Sequence, residues 1–160
     1  MFPFLILELF KDMENVKKIP AEVYSKVIDM MPILCVDIII MHQGKILLVK
    51  RKNKPLQDRF WIPGGRVLKG ESMETAARRK AKEELGIDIK NLKPIGYFEE
   101  HFKENDNEFG VSSGVHTVSI VFSAEPISLD IKLDKQSLAW KLSEDLPKDC
   151  KIKPFNIKNI

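Results

Sequence analysis

The sequence has little of several features that mark specialised classes of protein. It has only two cysteines, Cys35 and Cys150, without metal-ligand spacing, so we expect two reduced thiols in a cytoplasmic protein. The net charge of +3 is well below the excess typical of nucleic-acid-binding domains, so no nucleic-acid partner is expected. The apolar run MFPFLILELF is too short to span a bilayer and has no basic segment before it, so neither a membrane anchor nor a signal peptide is expected.

What the sequence does contain is typical of a globular domain. Apolar residues make up 44% of the chain and charged residues 31%, which argues against disorder. A chain of 160 residues is long enough to bury a core without disulfides. We therefore expect one domain over residues 20–160, preceded by an N-terminal arm over residues 1–19.

The order of the expected elements indicates an α/β or α+β fold. A helix is expected over residues 20–30, where Pro20 suits the first turn. The strongest helix is expected between Ser72, a typical N-cap, and Gly86, a typical residue after a helix C-terminus. The expected strands are 33–41, 45–50, 92–100 and 115–124, and a short helix is expected at 143–147. This order predicts a mixed β-sheet sandwiched between helices.

The stretch GGRVLKGESMETAARRKAKEELGI, which begins at Gly64, concentrates groups that bind cations and phosphates. Its glycine pair lets the backbone turn sharply and approach a ligand. Glu83 and Glu84 are adjacent carboxylates near the end of the expected helix, where they repel each other and oppose the helix dipole. A divalent cation such as Mg²⁺ would offset both costs, and Arg79 would either orient a carboxylate or hold a phosphate. Taken alone, such a pair is also typical of a solvated helix face. The spacing of the whole stretch decides between a metal site and a solvated face.

That spacing resembles the Nudix box, G-x5-E-x7-R-E-U-x-E-E-x-G-U, in which U is a bulky apolar residue. The positions that match are Gly65, Glu71, Arg79, Glu83, Glu84, Gly86 and Ile87. Two positions depart, because Ala81 replaces a larger apolar residue and Lys80 replaces the first glutamate after the arginine. The resemblance implies a Nudix fold and a hydrolase of nucleoside diphosphate derivatives that uses Mg²⁺, or alternatively Mn²⁺.

Residues 20–142 also resemble one branch of that family, the GDP-mannose mannosyl hydrolases, which likewise lack the glutamate at position 80. The stretches that carry this resemblance are DMMPILCVDIII, KRKNKP, RFWIPGGRV and YFEEHF. It implies Mg²⁺-dependent hydrolysis of a GDP-mannose-like nucleotide sugar to a nucleoside diphosphate and a sugar. It also implies a homodimer.

The resemblance carries over residue by residue to an expected site. The implied substrate contacts are Asp37, Arg51, Arg66, Arg79 and His101. The expected catalytic residues are Arg79, Glu83, Glu84 and His101. The expected metal ligands are Gly65 through its carbonyl, Glu83, Glu84 and Asp134, the last placed by an ungapped alignment on Trp140.

The sequence leaves the general base open. The branch keeps a histidine in the loop before the tryptophan, and Lys135 stands at that place here. One of Glu99, Glu100 and Glu104 is an alternative, as base or as metal ligand. Two other functions also stay open: pyrophosphate hydrolysis of other nucleotides, and nucleotide sensing without turnover.

Overall fold

The computed structural model describes residues 19–103, 106 and 113–155. The expected N-terminal arm, apart from Ile19, lies outside the described residues. Residues 104, 105 and 107–112 also lie outside them, and these include Glu104, one of the alternatives for the general base. No helix in the described part of the chain has the length and apolar character that crossing a membrane would require.

The described residues form two helices and eight strands in a mixed order. The helices are α1 (Ala21–Met30) and α2 (Met73–Leu85). The strands are β1 (Ile33–His42), β2 (Lys45–Arg51), β3 (Phe60–Trp61), β4 (Gly64–Arg66), β5 (Ile89–Phe102), β6 (Val115–Pro126), β7 (Ser137–Ser143) and β8 (Lys153–Pro154). The expected helix over residues 20–30, the strong helix after Ser72 and the four expected strands are confirmed.

Helix α2 has a capping residue at each end. The Ser72 hydroxyl accepts a hydrogen bond from the Thr75 amide at 3.1 Å, which satisfies one of the free N–H groups of the first turn. Gly86 has φ 71°, a left-handed conformation that glycine adopts without a steric cost. Between these ends the buried residues are Ala76, Ala77, Ala81 and Leu85. Small side chains on this face let the helix lie close to the sheet.

The sheet is built around strand β1, which has partners of both orientations. Strand β1 pairs in parallel with β6, for example Asp37 with Val121. On its other side it pairs antiparallel with the short strand β4, where Asp37 lies opposite Gly64. The strand order is β3-β2-β1-β6-β5-β8, with β4 paired to β1 and β7 paired to β2.

The two helices cover opposite faces of this sheet. Alternate residues of a strand point to opposite faces, so Val36 and Ile38 share one face while Cys35 and Asp37 share the other. Val36 and Ile38 belong to the core cluster that contains the buried alanines of α2. Cys35 belongs to a separate cluster with Ile28 of α1. The mixed sheet between helices is therefore confirmed.

The expected short helix at residues 143–147 is wrong. Ser143 is instead the last residue of β7, and its hydroxyl donates to the Asp145 carbonyl at 2.8 Å in a turn. The segment is too short to offset the cost of starting a helix, and Pro147 cannot extend one. Strand β7 itself was not expected, because it is an edge strand whose large apolar residues Leu138 and Trp140 are exposed.

Candidate active site

A cleft of about 460 Å³ lies on the face of the sheet that carries Asp37. It is bordered by α1 and α2, by β1, β3, β4, β5 and β6, and by the loops that follow β2 and precede β7. Its charged lining residues are Asp37, Arg51, Lys54, Arg66, Lys80, Glu84 and Glu100. Four of these are cationic and three are acidic, which suits a ligand that has both anionic and hydroxyl groups.

The glycine pair before α2 allows two close approaches at this cleft. A Cβ atom on Gly64 would overlap Asp37 Oδ1 and the Val36 carbonyl, so β4 can lie against β1 only with glycine there. A Cβ atom on Gly65 would lie 2.9 Å from Lys80 Cε. The glycines therefore let the backbone contact Asp37 on one side and the Lys80 side chain on the other.

Arg79 lies beside the cleft and holds the loop between β4 and α2. Its Nε and Nη2 atoms donate to Glu71 Oε2 and Oε1 at 3.0 and 2.6 Å, and Nη2 also donates to the Arg66 carbonyl at 3.0 Å. The Glu71 side chain is 2% exposed and also accepts from the Leu68 amide at 2.6 Å. Burial would raise the pKa of Glu71, but these hydrogen bonds outweigh it and hold the pKa below its usual value. Arg79 thus orients a carboxylate, as one of the two expected alternatives, and does not line the cleft.

Lys80 points into the cleft and forms ion pairs with both glutamates near the end of α2. Its Nζ atom lies 2.9 Å from Glu84 Oε1 and 3.3 Å from Glu83 Oε2. The side chains of Lys80 and Glu84 are only 17% and 13% exposed, whereas that of Glu83 is 49% exposed. Burial disfavours the ammonium, but the two carboxylates outweigh it, and the pKa of Lys80 is raised. Lys80, which stands where the Nudix box has a glutamate, is therefore charged and forms an ion pair with Glu84.

Two carboxyl groups from non-neighbouring strands line the same cleft. Asp37 is 8% exposed, and burial raises its pKa to about 7, although a hydrogen bond from Ser119 opposes this. Burial also raises the pKa of Glu100 to about 7, and the nearby Asp37 charge adds to the effect. Of the three glutamates left open as a base, Glu104 lies outside the described residues, and of the other two Glu100 lines the cleft. Because side chains alternate along a strand, its neighbour Glu99 points away from the cleft, and Glu99 Oε1 lies 3.9 Å from Lys153 Nζ.

The expected cationic contacts Arg51 and Arg66 both line the cleft. The Arg66 guanidinium lies over the Tyr24 ring, 4.6 Å from its centroid. Arg51 Nε donates to the Pro55 carbonyl at 2.8 Å, which fixes the loop after β2. Tyr24 and Ser119 also belong to this site, and the sequence offered no signal for them beyond their places on a helix and a strand.

The loop before β7 brings a further carboxylate close to Glu84. Asp134 and Glu84 line one small cavity that adjoins the cleft, and the Asp134 amide donates to the Glu84 carbonyl at 3.3 Å. Gln136, which the sequence did not single out, borders both cavities. Lys135 is exposed and lines neither of them.

His101 is not brought together with the other expected substrate contacts. It lies next to Glu100 on β5 and therefore points to the opposite face. There its ring stacks on that of His116, its partner on β6, with centroids 4.1 Å apart. The described cleft thus contains Asp37, Arg51 and Arg66 of the expected substrate contacts, but neither His101 nor Arg79.

Known proteins are similar to this chain in both sequence and fold. A family model described as the NUDIX domain matches residues 31–149. The low-salt glycan biosynthesis protein Agl8 of Haloferax volcanii is 32% identical over 127 residues, which are 79% of this chain and 80% of that protein. The ADP-ribose pyrophosphatase of Methanocaldococcus jannaschii is 37% identical over 101 residues, which are 63% of this chain and 55% of that protein.

The fold is also similar to that of a known protein of this kind. The crystal structure of the MutT Nudix hydrolase from Burkholderia pseudomallei superposes with a TM-score of 0.62 at 27% identity, covering 74% of this chain and 88% of that one. The family model and the Agl8 alignment each extend over most of the chain. The protein therefore belongs to the Nudix hydrolases, a family of enzymes that act on nucleotide derivatives.

Proposed function

We propose that the protein hydrolyses a GDP-mannose-like nucleoside diphosphate sugar to a nucleoside diphosphate and the free sugar. The observation that carries this proposal is the shared cleft, in which cationic side chains, the buried Asp37 and the half-buried Glu100 face one ligand volume. The similarity to a glycan biosynthesis protein over 79% of the chain supports a sugar-containing substrate.

The cationic side of the cleft suits the diphosphate. Arg51, Arg66 and Lys80 supply N–H donors to phosphate oxygens, and a guanidinium can bind two such oxygens at once. As the bond to the sugar breaks, negative charge accumulates on the diphosphate. Fixed cations at that point stabilise the transition state more than the bound substrate, which lowers the barrier.

The carboxyl side of the cleft suits the sugar and the attacking water. Asp37 accepts hydrogen bonds from sugar hydroxyls, and Glu100 acts as the general base. A base is most effective when its pKa lies near the working pH, and the pKa of Glu100 is raised to about 7. Glu100 takes a proton from water, the water oxygen bonds to the sugar C1, and the C1–oxygen bond breaks. The bonding electron pair leaves with the diphosphate.

The donor set near Glu84 fits a hard divalent cation such as Mg²⁺. Glu84 and Asp134 line one cavity, and Gly65 and Glu84 line the adjoining cleft, so oxygen ligands are available from three segments. No group of three or more acidic, histidine or cysteine side chains that could hold a metal ion occurs among the described residues. Mg²⁺ usually completes its shell with water and substrate phosphates, so this set is sufficient. When bound, the cation neutralises diphosphate charge.

Glu83 is half-exposed and paired with Arg79 and Lys80, so we do not assign it as a ligand.

The proposal is tested by hydrolysis in ¹⁸O-labelled water. Candidate nucleoside diphosphate sugars are incubated with the protein and Mg²⁺, and products are examined by phosphorus NMR and mass spectrometry. We expect the label in the sugar and none in the nucleoside diphosphate. Label in the phosphate would show attack at phosphorus and overturn the proposed chemistry.

A second candidate is pyrophosphate hydrolysis of a nucleotide such as ADP-ribose. The 37% identity to an ADP-ribose pyrophosphatase favours it, although the alignment spans only 55% of that protein. It predicts a nucleoside monophosphate as product, with ¹⁸O bound to phosphorus. The same labelling experiment therefore separates the two reactions.

A further inference from the structure

The ion pair between Lys80 and Glu84 affects how a divalent cation can bind to Glu84. Lys80 Nζ lies 2.9 Å from a Glu84 oxygen, and both side chains are largely buried. The alkyl part of Lys80 lies against Gly65, so the ammonium is held between the glycine loop and the helix. These are the segments that supply two of the three proposed cation ligands.

The ammonium and a divalent cation compete for the same carboxylate. Burial raises the pKa of Glu84, and the positive charge of Lys80 opposes that effect. A divalent cation bound to Glu84 would replace this stabilisation, but it would also lie close to a buried ammonium of like charge. Lys80 and the divalent cation therefore cannot both bind the Glu84 carboxylate strongly at the same time.

A bound diphosphate would give Lys80 a further anionic partner besides Glu83 and Glu84. Its ammonium borders the same volume as Arg51 and Arg66, where we place the diphosphate. Lysine has a flexible four-carbon stem, so its ammonium can change partners while the helix stays in place. A diphosphate carries more negative charge than the Glu84 carboxylate alone, and the Glu83 carboxylate is half-exposed, so its pairing with Lys80 is screened by water.

We propose that Lys80 is an exchangeable counter-ion that occupies Glu84 in the free protein and moves to the diphosphate when nucleotide binds. Glu84 is then free, together with Asp134, to bind the divalent cation. This inference rests on the proposed function for the identity of the ligand. It predicts that cation and nucleotide each strengthen the binding of the other, because a coupling between two sites is reciprocal.

The first experiment measures Mn²⁺ binding to the protein without nucleotide, from the free Mn²⁺ signal in electron paramagnetic resonance. We expect weak binding to the wild type and roughly tenfold tighter binding to Lys80→Gln, within the usual range of coupling between sites. The matched control is Lys82→Gln, because Lys82 lies on the same helix but pairs with the exposed Asp88 at 2.9 Å. It should bind Mn²⁺ like the wild type. The added variant Glu84→Gln should abolish the gain in Lys80→Gln.

The second experiment follows the Lys80 ammonium in the wild-type protein by ¹⁵N NMR, with the resonance assigned from Lys80→Gln. We expect GDP to shift this resonance in the presence of EDTA, since the exchange of partners needs no metal. The Lys82 resonance should stay in place. This measurement keeps the inference testable even if Lys80→Gln folds poorly.

Either of two results would overturn the inference: equal Mn²⁺ affinity in the wild type and a folded Lys80→Gln, or a Lys80 resonance that GDP leaves unchanged. Both measurements are independent of turnover. If both succeed and no nucleoside diphosphate sugar is hydrolysed, the proposed function fails and the counter-ion role of Lys80 stands.

Discussion

Arg79 and Glu71 form a two-point ion pair, in which Nε and Nη2 of the guanidinium donate to the two carboxylate oxygens at 3.0 and 2.6 Å. The pair joins α2 to the loop after β4, and Nη2 also donates to the Arg66 carbonyl. Since Arg66 lines the cleft, the ion pair fixes the backbone of a residue that we assign to diphosphate binding. Arg79 is therefore placed to position Arg66.

The first prediction concerns this pair. Removing one partner of a buried ion pair leaves an uncompensated charge, so Arg79→Ala should lower the free energy of unfolding by about 3 kcal/mol. Arg79→Lys should recover only part of it, because an ammonium cannot bind both oxygens in the same geometry. Urea unfolding measures both, with Lys82→Ala as the exposed control on the same helix. A folded Arg79→Ala with unchanged stability and lost activity would instead favour direct substrate contact.

The second prediction concerns the general base. Glu100→Gln should lower kcat by roughly 10²- to 10⁴-fold, the usual contribution of a general base. The matched control is Glu99→Gln, one residue away on the opposite face, which should keep near wild-type activity. In Asp37→Asn, the acid limb of the kcat/KM profile should move to lower pH, because the Asp37 charge raises the pKa of Glu100. An unmoved acid limb would argue against Glu100 as the titrating base.

The third prediction concerns stability and pH. The pKa of Asp37 is raised to about 7 in the folded protein, above its ordinary value of 3.8. Between these values the folded state binds more protons than the unfolded state, so this group's contribution is largest at low pH and is lost as pH rises to about 7. The slope from one group is at most about 1.4 kcal/mol per pH unit. Asp37→Asn should therefore flatten the fall in unfolding free energy between about pH 4 and pH 7, measured by urea unfolding. An unchanged slope would contradict it.

The fourth prediction separates two residues that the sequence grouped together. Arg66 lines the cleft, whereas His101 stacks on His116 on the other face of β5. Arg66→Ala should lower kcat/KM by roughly 10- to 100-fold, the cost of about 1.5–3 kcal/mol for a lost charged hydrogen bond. His101→Ala should change it by less than about threefold, within the small effects of surface substitutions. Steady-state kinetics on the substrate found in the labelling experiment provides the comparison, and a large loss in His101→Ala would show that the histidine reaches the substrate.

Local signals in the sequence were sufficient for most of the fold. The limits of α2 follow from Ser72 and Gly86, each of which acts within a few residues of itself. Strand β7 escaped prediction because its position depends on pairing with β2, distant in sequence, and its apolar residues Leu138 and Trp140 do not face the core.

The candidate site was predicted less completely than the fold. The spacing from Gly65 to Glu84 gave the residues that meet beside the cleft, but not that Lys80 would occupy Glu84. The sequence also could not show which side chains of β5 face the cleft, because the register of this strand shifts between Lys90 and Lys93 and again between Pro94 and Gly96. Each shift can exchange the two faces of a strand, so sequence alternation alone could not show that Glu100, and not His101, enters the cleft.

The parallel pairing of β1 with β6 also sets when the site can form during synthesis. Residues 33–40 pair with residues 117–124, so the strand that carries Asp37 lacks its central neighbour until most of the domain has been made. Contacts between such distant segments form slowly, since a long loop must close before they contribute. Until then β1 has only β2 and β4 as partners, and the apolar side chains that β6 would cover are open to aggregation on the ribosome. A nascent chain that stalls before β6 would carry the complete Nudix box and still have no cleft.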